Sequence, residues 1–255
     1  MGDLHFDCTM CGQCCHGLRL PLSLAEARLW LDKGGTVQLM CEAHPWPEEP
    51  ADGDALGHYR RARTFAAQSG GLPVRIMVTL VAAFAGPCPF LLPDMRCGNY
   101  AERPRVCRIY PAEMNPFAVL KPAGKACPPE AWNDANPLLA RNGEAVAPET
   151  VAIVAAARAT SIEDGRAKER LCADLGIAVA ALGNEGYVAH SPNPAALRAA
   201  LAGLENARPF RSVAWTVASN RSATIAMLEA AGAQSLLAAD GDAGASDYIG
   251  FFPAG

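Results

Sequence analysis

Residues 8 to 15 read Cys8-Thr9-Met10-Cys11-Gly12-Gln13-Cys14-Cys15, four thiols within eight residues. Four more cysteines, Cys88, Cys97, Cys107 and Cys127, follow in the same half of the chain. Thiols at this density bind metal, form disulfides or do redox chemistry. The spacing Cys8-x2-Cys11-x2-Cys14 lets one tight loop present three sulfurs to a single centre. Zinc takes sulfurs at about 2.3 Å in a tetrahedron. Iron–sulfur clusters use similarly close thiolates, and bacterial ferredoxins share these first three spacings. Here the next cysteine, Cys15, adjoins Cys14 directly. Adjacent side chains in extended backbone point to opposite sides. Cys14 and Cys15 are therefore expected to reach different centres, or one of them is a free thiol. The second set, Cys88-x8-Cys97-x9-Cys107-x19-Cys127, is too wide for a local knuckle and converges only through folding. Eight thiols suit two four-thiolate sites, or one site with spare redox-active cysteines, and the spacing leaves that division open.

Composition narrows the setting. The apolar fraction of 51% in 255 residues supports a folded core in one large domain or two modest ones. Net charge is only -4, and no basic run exceeds Arg60-Arg61-Ala62-Arg63, so nucleic acid is not an expected partner. The start, Met1-Gly2-Asp3-Leu4-His5-Phe6-Asp7, lacks the basic and apolar regions of a secretory signal. Phe6 stands where a myristoylation site wants Ser or Thr. The best apolar run, Ile76 to Ala85, is about half a membrane span. A cytoplasmic protein without membrane partners is expected. In that reducing setting its ten cysteines read as metal ligands or catalytic thiols before structural disulfides.

The cysteines also divide the chain. All but Cys172 fall before residue 130, in a segment dense in proline (Pro87-Cys88-Pro89, Cys127-Pro128-Pro129) that offers no continuous apolar stripe. Such a segment is expected to depend on metal. A structural zinc site contributes about 10–16 kcal/mol, against about 5–15 kcal/mol for a whole domain and about 2–4 kcal/mol for a disulfide. The expected fold class is α+β, with an irregular metal-stapled cysteine-rich domain of few short strands over residues 1–134. A mainly helical, Ala-rich region over 135–255 follows.

Within that frame Ser23, with Glu26 three residues on, predicts a capped helix over about 24–33, ended by Gly34-Gly35. Residues 45–58 read as loop, 60–68 as a short helix, 74–84 as a strand and 117–121 as another. Helices are expected over 150–159, 162–175, 195–204 after the Asn193-Pro194 cap, and 222–231. The small polar stretch 238–246 reads as a mobile tail, and no internal repeat appears.

The motif Phe6-Asp7-Cys8-x2-Cys11-Gly12-x-Cys14-Cys15 resembles the YkgJ-like CxxCxxCC cysteine-cluster family of zinc- or iron-chelating proteins. The second half is similar too: Cys88-Pro89-Phe90-Leu91, then Cys97-x2-Tyr100-x2-Arg103-Pro104-x2-Cys107-Arg108-x-Tyr110-Pro111. The resemblance covers roughly residues 6 to 130. It departs in the long interval 16–87, and it does not reach the Ala-rich half. It implies metal binding through Cys8, Cys11, Cys14, Cys15, Cys88, Cys97, Cys107 and Cys127, with the metal open between an iron–sulfur cluster, slightly favoured, and zinc, in one or two centres. Flagellin lysine N-methylases contain a similar cysteine domain, so the resemblance also allows group transfer to a protein substrate.

Arg96, Arg103, Arg105 and Arg108 surround Cys97 and Cys107. A four-thiolate zinc centre carries a formal charge of about -2. Arg103, Arg105 and Arg108 are thus expected to offset charge at the cofactor and donate to sulfur. The alternative is an anion pocket for carboxylate or phosphate. Cys41 and Cys172 read as buried small hydrophobes. His5 and His16 read as neighbours of the cluster, His44 as a weak substitute ligand near Cys41 and Glu42, and Tyr100 and Tyr110 as packing and hydrogen-bonding residues around the site. No GxSxG, GxxxxGK[ST], HExxH or CxxxCxxC pattern is present. Three functions follow from the sequence: a metal-binding protein organised by its metal, a redox or group-transfer enzyme with a redox or protein partner, or a metal store or chaperone.

Overall fold

A computed structural model describes residues 2–206, 209–238 and 246–253. In chain order its elements are β1 (Asp3–His5), β2 (Arg19–Leu22), α1 (Leu24–Asp32), β3 (Val37–Pro45), α2 (Ala55–Ala62), β4 (Phe65–Ser69), β5 (Leu72–Ala83) and α3 (Arg105–Ile109). They continue with β6 (Leu138–Arg141), β7 (Glu144–Ala145), α4 (Pro148–Leu175), β8 (Val179–Leu182), β9 (Gly186–His190), α5 (Pro194–Gly203), β10 (Thr216–Ser219), α6 (Ser222–Ala230), β11 (Ser235–Leu237) and β12 (Asp247–Gly250). The chain forms two compact units, each built from two stretches: Met1–Leu22 with Ala82–Thr160, and Ser23–Val81 with Ser161–Gly255.

The first unit has little regular structure, and its described residues include two small buried clusters. β1 pairs antiparallel with β6, and β6 with β7. Beneath them Leu120, Leu139 and Ala140 are buried, with Leu4, Phe6, Trp132 and Ala147 against them. The Phe6 ring sits 4.9 Å from that of Trp132. Elsewhere Ile109 and Ala112 pack on Val154 and Ala157 of α4. Residues 117–121, expected as a strand, form none. Leu120 is buried there, and its N–H reaches Gly143 O at 3.3 Å without a ladder.

The second unit is a mixed sheet. β3 lies parallel to β8, β8 to β10 and β10 to β11, while β9 runs antiparallel to β3 and β12 to β9. β5 neighbours β3 and pairs antiparallel with β4. Along β5, Leu72, Val74, Ile76, Val78 and Leu80 alternate into the core. Arg28 of α1 pairs with Glu205, in the turn just beyond α5, at 2.5 Å. Arg198 also donates to the carbonyl of Leu31.

This architecture corrects the expected fold class. Strands are not few and short in the cysteine-bearing half: β3 and β5 are long. Nor is the Ala-rich half mainly helical, since β8 to β12 occupy it. The physical reason lies in burial. β8 (Val-Ala-Ala-Leu) and β10 (Thr-Val-Ala-Ser) are interior parallel strands, covered on both faces, so they show no alternation of apolar and polar residues. Small residues read as helix formers in isolation, and packing overrides that preference.

Several local readings hold. α1 has the full capping box between Ser23 and Glu26. Asn193 caps α5, and α6 covers the expected span. The helices expected on either side of residues 160–161 form one, α4. Thr160 Oγ1 there accepts from Arg105, and Ser161 Oγ from Arg63. Of the expected mobile stretch, residues 239–245 lie outside the described residues.

Candidate metal centre

The N-terminal strand delivers the motif. After β1, the Phe6 N–H donates to Pro137 O at 2.9 Å and the Asp7 N–H to Ala131 O at 3.0 Å, which anchors the backbone just before Cys8. Gly12 then turns the chain with φ 69, a left-handed conformation that suits glycine. A Cβ at Gly12 would stand 2.8 Å from Met95 Cε and 3.0 Å from Met95 O, so only glycine lets this loop press on residues 91–95. A short 3-10 turn over Gln13–Cys15 follows, closed by Cys15 N–H to Gly12 O at 2.9 Å.

The second cysteine set is brought to this turn by backbone hydrogen bonds. Cys88 N–H donates to Cys15 O at 2.7 Å, and Gly17 N–H to Gly86 O at 2.9 Å. Cys88 and Cys97 flank a tight reversal held by Gly98 N–H to Phe90 O at 2.7 Å. Cys107 rides on α3. All eight cysteines belong to the first unit, and all are free thiols. Cys8 is exposed and the other seven are half-buried.

Their mutual electrostatics show which thiols lie near which, with Cys15 reaching into both halves of the set. Cys107 is pushed up to about 12 by burial and then by Cys15, Cys88 and Cys97. Cys88 is raised by burial, with Cys15 and Cys97 adding to it. Cys14 is pushed up to about 12 by burial and then by Cys15, Cys127 and Cys8. Cys127 is raised by burial and feels Cys11 and Cys8, while a hydrogen bond with Tyr110 opposes the rise. Cys15, Cys88, Cys97 and Cys107 are thus neighbours, as are Cys8, Cys11, Cys14 and Cys127. The two sets run together at Cys15, which hydrogen-bonds Cys14 and also feels Cys8 and Cys11.

Crowded thiols raise one another because two thiolates repel, and a bound cation reverses that penalty. The donor set is all sulfur, the soft ligand that zinc and iron–sulfur clusters take. Its chemistry therefore fits a thiophilic metal. Among the described residues, no three His, Cys, Asp or Glu side chains already close on a single point as ligands of one ion.

The expected basic residues divide. Arg103 stacks on Tyr100, with Cζ 3.9 Å from the ring centroid, and its charge opposes the rise at Cys107. Its buried Nε has no hydrogen-bond partner among the described residues. Arg105 reaches α4 through Thr160 Oγ1 at 2.8 Å and Ala156 O at 3.3 Å. Arg108 pairs with Glu149 at 3.4 Å, and Arg96 with Asp94 at 2.6 Å. Tyr110, half-buried, accepts the Ala126 N–H at 2.8 Å and hydrogen-bonds Cys127, in keeping with its reading as a packing and hydrogen-bonding residue around the site. His5 Nδ1 bonds Asn136 O at 2.7 Å and His16 Nδ1 bonds Gly12 O at 3.1 Å, so both serve the backbone around the cluster. Cys41 and Cys172 are fully buried, as expected of small hydrophobes, and neither they nor His44 belong to this unit.

A loop-borne set of thiols without a large core defines a cysteine-rich chelating domain. Residues 7–128 match the family model described as "CxxCxxCC: Putative zinc- or iron-chelating domain", and over that span the chain carries a domain of this family. Neither curated proteins nor solved structures gave a match. No helix among the described residues is long and apolar enough to cross a membrane.

Proposed function

We propose that this protein holds two iron–sulfur centres, one on Cys8, Cys11, Cys14 and Cys127 and one on Cys15, Cys88, Cys97 and Cys107. The observation that carries the reading is that Cys107 and Cys88 interact with Cys15 and Cys97, while Cys14 and Cys127 interact with Cys8, with Cys15 bridging the two sets. A single ion draws its sulfurs to about 2.3 Å from one point. A cluster of several irons is wider and takes its thiolates from further apart. The ferredoxin-like Cys8-x2-Cys11-x2-Cys14 spacing and the vicinal Cys14-Cys15 pair favour the cluster over zinc. When bound, such clusters supply one-electron transfer. Tyr110 would then hydrogen-bond the Cys127 sulfur and Arg103 would offset charge near Cys107, tuning the centres from their surroundings. Ten free cysteines suit a reducing, cytoplasmic setting.

The test is anaerobic purification with iron, zinc and acid-labile sulfide analysis and visible absorption, on the wild type and on cysteine variants. Iron with matching sulfide is expected. Cys14→Ser and Cys15→Ser should each remove about half of it, since each disables one four-thiolate site. Cys14→Ser with Cys127→Ser should remove no more than Cys14→Ser alone, and Cys14→Ser with Cys15→Ser should remove all. A colourless wild type with stoichiometric zinc and no sulfide overturns the iron–sulfur reading.

A further inference from the structure

One edge of the sheet in the second unit is open among the described residues. β11 stands last in the strand order, with β10 as its neighbour. Val217 N–H donates to Gln234 O and Ala238 N–H to Ser219 O, both at 2.9 Å. Bonding to β10 therefore falls to residues 234, 236 and 238. The alternation of the strand turns the N–H and C=O of Ser235 and Leu237 outward. The edge carries neither charge nor proline, the devices that keep such edges from pairing. It is also held in place. Ser69 Oγ donates to Gln234 O at 2.9 Å and accepts the Gln234 N–H at 3.1 Å, and Gly71 N–H donates to Gly232 O at 2.8 Å.

A helix face stands beside this edge. α6 buries Thr224 and Leu228 and leads into β11 through the Gly232 turn. Ser235 Oγ donates to Glu229 Oε1 at 3.1 Å, which places Glu229 on the edge side of α6. Ser222 and Ala226, seven and three residues earlier, share that side and are exposed. Their small side chains leave room for a close neighbour. Leu237, two residues after Ser235 and 53% exposed, lies on the same side of the sheet, and Leu236, 36% exposed, on the other. Over residues 221–238 the charges are Arg221 and Glu229, one of each sign, so the surface does not repel its own kind. Arg221 lies 3.6 Å from Glu185.

We propose that β11 pairs antiparallel with β11 of a second copy of this chain, extending the sheet across a two-fold axis. Ser235 then stands opposite Leu237 of the second copy, which uses every outward N–H and C=O of both strands. Leu236 meets its own mate at the axis, with Cα atoms about 4.5 Å apart. Three residues a side bury less than a stable dimer needs, so the helices share the interface. A second copy brings its own α6 to the same side of the extended sheet, about 10 Å from the first, the spacing at which helices pack. An isolated peptide strand brings no such layer.

Sedimentation equilibrium of the full-length protein under reducing, anaerobic conditions, where thiols cannot cross-link copies, tests this. A monomer–dimer equilibrium with a dissociation constant on the order of 10 µM is expected for so small an interface. Leu236→Lys and Leu236→Glu should each raise it about tenfold, by placing like charges across the axis in place of leucines. Mixing the two variants should restore the dimer, an effect that damage to the fold cannot produce. Leu237→Pro removes an N–H that no bond within the chain uses, and should raise the constant about tenfold. A wild type still monomeric at about 100 µM overturns the proposal, whether or not the edge accepts a strand of another sequence. So does a dimer of unchanged affinity in Leu237→Pro, or a mixture of folded Leu236→Lys and Leu236→Glu that stays monomeric.

Discussion

At the scale of single residues, Glu42 and His44 show how one strand face sets opposite demands. Burial pushes His44 down to about 4, and the Arg60 charge adds to it. Burial lifts Glu42 to about 7 against Arg60 and Arg63, which pull the other way. Desolvation wins at both because it penalises whichever form is charged. The linkage signs follow. His44 stays neutral in the fold while the unfolded chain takes a proton below 6.5, so its contribution is lost as pH falls from 6.5 towards about 4. Glu42 keeps its proton in the fold while the unfolded chain releases it above 4.5, so its contribution is lost as pH rises from 4.5 through about 7. Between 4.5 and 6.5 the two slopes oppose each other. Urea denaturation across this window should expose each alone. Glu42→Gln should become more acid-sensitive than wild type, and His44→Gln should lose stability as pH rises. An unchanged pH profile in Glu42→Gln would show that Glu42 contributes no proton linkage to folding.

At the scale of elements, legibility followed the range of the interactions. The start of α1 was readable because the capping box is written in four residues: the Ser23 side chain accepts the Glu26 N–H at 3.2 Å, and the Glu26 carboxylate accepts the Ser23 N–H at 2.8 Å. Ser23→Ala should cost about 1 kcal/mol in equilibrium denaturation. A loss below a few tenths would mean that α1 is held by its contacts with α5 and β3 alone. β8 and β10 were not readable, because a strand buried on both faces has no period to display. The apparent break between residues 159 and 162 was likewise misleading. Thr160 and Ser161 favour caps when their hydroxyls compete for the backbone, but here both are occupied as acceptors for arginines, and α4 continues through them.

At the scale of the molecule, the two units differ in what can hold them. The second has fully buried residues on successive strands, among them Leu39, Ile76, Leu80 and Trp215. The first has two small clusters and a backbone threaded by prolines. Removing metal with a strong chelator under anaerobic conditions should therefore strip hydrogen-exchange protection from the first unit, including the Phe6, Asp7 and Cys88 amides. Amides of β3 and β5 from residue 37 to residue 81 should keep theirs. Protection lost equally in both units, or retained in both, would contradict a fold in which metal staples only the cysteine-bearing part.

Features whose partners lie within a few residues are written in the chain itself: the cysteine-rich turn over residues 8–15, the capped starts of α1 and α5, and the alternation of β5. These depend on local geometry and on side chains that meet without long loop closure. Only the tertiary structure decided how Cys15 meets Cys88 while Cys14 meets Cys127, that alanine-rich segments become interior strands, and that Glu42 and His44 share a face with Arg60 and Arg63 nearby. Each of these brings together segments far apart in the chain, and burial, which selects the partner, has no signature in the sequence around either one.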